Sequence, residues 1–153
     1  MSKKLLVFWA YIVEVVASTV IVFLTFAILE FSEVIRFVHS SAKDVASNFA
    51  VVLLAASLGL FWTFYSKSDS PFVQWLHEKE AFEVYARSFL FSIGVYVLLV
   101  ASLILVMNTS SSLVAILSIW LSVLGLINVY SLIKNIYDLI KLNALFNRKN
   151  KKP

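Results

Sequence analysis

An all-α integral membrane protein, with four transmembrane helices in a bundle, is predicted by three observations. First, four stretches are long and almost free of charge: Leu5 to Leu29, Phe49 to Tyr65 with an approach from about Val45, Phe89 to Met107, and Leu113 to Ile133. Each is close to or above the roughly 17–25 apolar residues that match a hydrocarbon core about 30 Å thick. Second, 61% of the residues are hydrophobic, 14% are charged and the mean hydropathy is +0.89, which removes a soluble globular reading. Third, the 13 Lys and Arg gather around alternate connections. Spans at about 5–29, 45–65, 88–107 and 113–133 use up most of the chain, so one membrane domain is expected.

The charges set the orientation. Lys3 and Lys4 precede the first span, Lys67, Lys79 and Arg87 lie between the second and third, and Lys134, Lys141, Arg148, Lys149, Lys151 and Lys152 follow the fourth. Arg36 and Lys43 alone lie between the first and second spans, and the turn Asn108 to Ser112 carries no base. This asymmetry predicts both termini in the cytoplasm and a multi-pass protein of the inner membrane. The basic tail is accounted for by anionic headgroups, so no nucleic-acid partner is expected. Val16-Ala17-Ser18 loosely resembles a cleavage region, but the apolar run continues to Leu29, so the first segment is expected to be a retained span.

The first span is expected to continue as a helix, because Ile28, Phe31, Ile35 and Val38 keep helical spacing while Glu30, Glu33 and Arg36 can face water. A short outer loop near His39–Lys43 follows, with Asp44 or Ser47 capping the second span. That span ends in Trp62, Phe64 and Tyr65, aromatic residues suited to the interface. Ser70-Pro71 is a helix start, with Ser as N-cap and Pro at the first helical position. An amphipathic helix over about 71–87 is expected either on the membrane surface or continuous with the third span. The fourth span overshoots in the same way over about 134–147, so spans three and four form a hairpin extended into the cytoplasm as a stem.

Glu14 is the one carboxylate well inside a span, with Tyr11, Ser18 and Thr25 along a similar face. An acid there costs about 2.5–3.5 kcal/mol on insertion scales, so it should face protein or water. Asn128, Ser118, Ser122 or the same residue of another subunit are its expected partners; the competing reading is a proton or cation pathway. Small residues line the fourth span at Ala115, Ser118, Ser122 and Gly125, and the second at Ala56, Gly59 and Thr63. Such faces let helix backbones approach, within one subunit or between copies, and suggest a homo-oligomer. In the stem, Glu78, Glu80 and Glu83 oppose Lys134, Lys141 and Arg148, with Trp75 as an interfacial anchor, a pattern suited to cross-stem ion pairs and to a cytoplasmic protein partner or headgroups.

The chain has no cysteine, its two histidines fall in separate connections, and no phosphate loop or catalytic triad pattern is present. No metal, no cofactor and no enzymatic activity are therefore expected. At the level of overall shape, the four spans resemble small membrane subunits of bacterial anti-phage systems, such as the membrane component of Kiwa, and colicin immunity proteins. That resemblance implies a non-enzymatic subunit that anchors or senses at the membrane and docks a cytoplasmic partner, or else a bacteriocin-immunity type of inhibitor. A small oligomeric ion channel or transporter using the Glu14 stripe is the other expectation.

Overall fold

A computed structural model describes residues 3–150. Lys151 and Lys152 of the basic tail lie outside the described residues. The fold is all-helical, with four helices long and apolar enough to cross a membrane. In chain order the α-helices of the described residues are α1 (Lys3–Ile28), α2 (Phe31–Val45), α3 (Val51–Ser66), α4 (Pro71–Glu78), α5 (Phe82–Asn108) and α6 (Ser112–Asn150); α1, the continuous α2–α3 stretch, α5 and α6 are the four long apolar ones. A π-helical turn at Ala46–Ala50 joins α2 to α3, making one helical stretch from Phe31 to Ser66.

The first connection differs from the sequence expectation. The chain breaks at Leu29–Glu30, where Glu30 is extended (φ −65°, ψ 129°) and its carbonyl accepts from the N–H groups of Glu33 and Val34. His39–Lys43 is not a loop but part of α2, and Asp44 and Ser47 lie inside the continuous helix rather than capping it. The Ser40 and Ser41 hydroxyls donate back to the Phe37 carbonyl at 2.9 and 2.8 Å, which lets polar residues sit mid-helix. Three alanines then spaced four apart explain why the helix is held: Ala42, Ala46 and Ala50 are buried against Leu99, Leu103 and Val106 of α5 and Ala115 and Leu121 of α6. Their lack of bulk permits close backbone approach, and the π turn, whose extra residue shifts the helical phase, falls inside this contact.

The stretch 71–87 is two helices, not one. Ser70 is extended and its Oγ accepts from the Val73 N–H at 3.4 Å, in keeping with the expected cap. α4 stops after Glu78 because Glu80 takes a left-handed conformation (φ 54°). The Ala81 N–H then reaches the Leu76 carbonyl and the Glu80 N–H the His77 carbonyl, both at 2.9 Å. This is a Schellman ending, with a glutamate where glycine is the usual occupant.

The Asn108 and Thr109 side chains bond back to the Ile104 and Leu105 carbonyls at the end of α5, and α6 starts at Ser112 as expected. α6 spans 39 residues, or about 58 Å at about 1.5 Å per residue, nearly twice the hydrocarbon thickness. α5 is the central element, with a continuous buried face from Ser88 through Ser92, Tyr96, Leu99 and Leu103 to Val106. α6, α3 and α2 pack on it, while α1 lies mainly along α6. Where α4 meets the end of α6, Phe72 and Trp75 each lie 5.8 Å from the ring of Phe146, and Val73 and Leu76 are buried beneath.

Candidate functional site

On α1, Tyr11, Glu14 and Ser18 recur every three or four residues, so a single face of the helix carries all three toward α5 and α6. Glu14 is 6% exposed and Ser18 is fully buried. Asn128 of α6, itself buried, donates its Nδ2 to Glu14 Oε2 at 3.0 Å. Of the partners expected for this acid, Asn128 is therefore the one in place. Ser118 and Ser122 donate back to Val114 and Ser118 of their own helix, at 2.9 and 2.7 Å.

Further along the same face, Ser18 donates to the Val15 carbonyl at 2.8 Å. The Trp120 indole N–H donates to Thr19 Oγ1 at 3.0 Å, a second tie between α1 and α6. Thr25 does not join this seam. Its hydroxyl turns back to the Ile21 carbonyl at 2.9 Å, and the residue lines a separate, largely apolar cavity of about 670 Å³ with Val34, Phe37, Val38 and Leu126.

In the other direction from Glu14 the seam opens into a cleft of about 440 Å³ between α1, α5 and α6. Tyr11 and Glu14 line it from α1, Tyr85 and Ser88 from α5, and Ser131, Lys134, Asn135 and Asp138 from α6. Asn135 Nδ2 donates to Ser88 Oγ, tying α6 to α5 beside it. The Tyr11 ring stacks on Phe91 with centroids 4.2 Å apart. Its hydroxyl is buried beside Ser88 but closes no hydrogen bond of normal geometry, and Asn128 Oδ1 is likewise buried with no donor on it.

Several of these groups were not picked out from the sequence. Ser88, Ser92 and Tyr96 follow one another at four-residue steps, a signal comparable to the stripe on α1. Tyr85 and Asp138 fall within the stretches 71–87 and 134–147 that the sequence places in the stem, whereas the cleft brings Tyr85, Asp138 and Glu14 to one wall system.

The two small-residue faces behave differently. Ala115, Ser118 and Gly125 of α6 are buried, and Tyr96 donates its hydroxyl to the Gly125 carbonyl at 3.4 Å, so this face packs within the chain. Ala56, Gly59 and Thr63 of α3 are exposed, and nothing lies within 4 Å of where a Gly59 side chain would start. In the stem, Glu78, Glu80 and Glu83 and the bases Lys134, Lys141 and Arg148 are exposed. Glu83 pairs with Arg87 at 3.4 Å on its own helix, and Phe72, Trp75 and Phe146 meet at the α4–α6 junction.

Among the described residues, no group of three or more His, Cys, Asp or Glu is placed to hold a metal. No family model, curated protein or solved structure matches the chain.

Proposed function

We propose that this chain is a non-enzymatic inner-membrane subunit, with both termini cytoplasmic, that docks a cytoplasmic protein through its projecting helices. The observation that carries the reading is the end of α6. Lys134, Lys141 and Arg148 are exposed at seven-residue steps, which align them along one side of a helix. Beside them Ile133, Tyr137 and Ile140 are 60–64% exposed. Asn135, tied to Ser88 near the first apolar turn of α5, marks the inner edge of the hydrocarbon in this reading. The 15 residues from there to Asn150 make about 22 Å of helix, against about 5–8 Å of headgroup region. Lipid accounts for Ile133 and Tyr137; an apolar and basic surface beyond them suits an acidic amphipathic partner. The setting we propose is bacterial anti-phage defence, on the shape-level resemblance alone, and the assembly a homo-oligomer through the open Gly59 face.

The test compares proteins recovered with the wild-type chain from its native host against those recovered with Lys134, Lys141 and Arg148 all changed to Glu. Loss of a specific soluble protein, at unchanged membrane insertion, supports docking. Equal recovery of every co-purifying protein overturns it.

A second reading, a small ion channel or transporter, draws on the Glu14 cleft. The polar seam reaches Ser18 and Thr19, beyond which Leu99, Leu103, Val106 and Leu121 form an apolar cluster, so it runs through one half of the bundle. An ion flux in proteoliposomes that Glu14→Gln abolishes would favour this second reading over docking.

A further inference from the structure

We propose that the cleft between α1, α5 and α6 binds a protonated primary amine, with the Glu14 carboxylate as its counter-charge at the closed end. The inference does not rest on partner docking at the stem, although Lys134 belongs to both surfaces.

The site carries more acceptor capacity than the chain's own donors fill. Among the described residues Glu14 receives a single N–H, from Asn128, whereas a carboxylate can accept about four hydrogen bonds. The Tyr11 hydroxyl next to it is buried beside Ser88, whose Oγ already accepts from Asn135, and its oxygen is free to accept a further hydrogen bond. Buried carboxylates are ordinarily paired or fully bonded, so a site that leads from the surface to an underbonded one invites a donor.

The wall selects the kind of donor. Two carboxylates, Glu14 and Asp138, line the cleft with one base, Lys134, and Arg87, whose charge also reaches Tyr11, is paired with Glu83, so the formal balance favours a cation. The remaining polar groups are mainly oxygens of Tyr11, Tyr85, Ser88 and Ser131, and the two phenol rings offer faces to a cation. Calcium or magnesium would demand about six or more oxygen ligands in a tight shell, and among the described residues no group of three or more His, Cys, Asp or Glu is placed to hold a metal here. An ammonium group presents three N–H donors and tolerates this looser array. Its source is either a lipid headgroup, with the phosphate at Lys134 in the mouth, or a free amine.

The test uses the purified full-length chain. By native mass spectrometry, wild type should retain phosphatidylethanolamine about tenfold better than its N-trimethylated analogue, which keeps the charge but has no N–H to donate. In detergent free of aminolipid, propylamine should raise the unfolding temperature and tetramethylammonium should not. Lipid preference assigns the site to a headgroup, and a propylamine shift without it assigns the site to a free amine; both support the proposal. Glu14→Gln should abolish the discrimination, and Tyr11→Phe should weaken it several-fold. Absence of both effects in the wild type overturns the proposal whatever the variants do, and full discrimination retained in folded Glu14→Gln overturns it equally.

Discussion

Asn128 Nδ2 lies 3.0 Å from Glu14 Oε2, a hydrogen bond between residues 114 positions apart that fastens the first helix to the last. Between helices in a membrane such bonds average about 0.6 kcal/mol and reach about 1.7 kcal/mol. Leaving one partner buried and unpaired costs more, about 1–3 kcal/mol. Glu14→Leu and Asn128→Leu should therefore each destabilise the bundle by about 1–3 kcal/mol. The double variant should cost less than the sum, because no polar group is then stranded. Glu14→Gln keeps an acceptor for Asn128 and should be near neutral for folding. Reversible unfolding in mixed micelles, run as a double-mutant cycle, measures all four; strict additivity would show that the pair is not coupled.

Gly125 and Gly59 should respond in opposite ways to the same substitution. A Cβ on Gly125 would sit 3.5 Å from both Leu99 and Tyr96, so the rest of a leucine has no room and must push α5 from α6. Gly125→Leu should lower the stability of the isolated chain by about 1–3 kcal/mol. Gly59→Leu meets open space and should leave that stability unchanged. If the α3 face packs against a second copy, Gly59→Leu will instead reduce self-association, read by crosslinking or single-molecule photobleaching in bilayers.

The contrast between those glycines shows where sequence reading stops. Both lie on a small-residue stripe and look equivalent by spacing, yet only α6 is turned to the interior. In lipid, apolar residues are tolerated on either side of a helix, so periodicity finds the spans without revealing which face is buried. Spans one, three and four were legible because length and hydropathy alone decide them. The break at Leu29–Glu30 was hidden for a different reason: it has no Gly or Pro, while His39-Ser40-Ser41 has loop chemistry but bonds back into a helix. The Ala42, Ala46, Ala50 contact was lost with it. A partner for Glu14 could be expected from the sequence, with Asn128 one of several candidates, because a buried acid demands one; the cleft could not, since Tyr85 and Asp138 are unremarkable until α5 and α6 are set side by side.

Glu80 supplies a test of local strain. Its φ of 54° is the left-handed conformation, which for a residue with a Cβ costs about 1–2 kcal/mol and for glycine almost nothing. Two hydrogen bonds at the end of α4 depend on it. Glu80→Gly should raise stability by up to about 1 kcal/mol despite the greater freedom of glycine in the unfolded chain, and Glu80→Val should lower it. Thermal unfolding followed by circular dichroism is sufficient, because Glu80 is exposed and loses no buried contact.

Topology underlies the docking proposal and can be tested directly, because the chain has no native cysteine. Ser110 lies in the α5–α6 turn, and Ser40 is exposed two residues before Ala42, which shares a core cluster with Val106 and Ala115 beside that turn. Cysteines at 40 and 110 should therefore react from the same side, although one sits in a helix and the other in a turn. A cysteine at Asn147, on the exposed end of α6, should react from the opposite side. The Lys and Arg distribution assigns 40 and 110 to the exterior and 147 to the cytoplasm. An impermeant maleimide applied to intact cells should label the first two and spare the third until the membrane is opened. Labelling of 40 and 110 from different sides would contradict the helix arrangement itself; labelling of 147 alone would keep the arrangement but invert it, placing the basic stem outside and removing any cytoplasmic partner from reach.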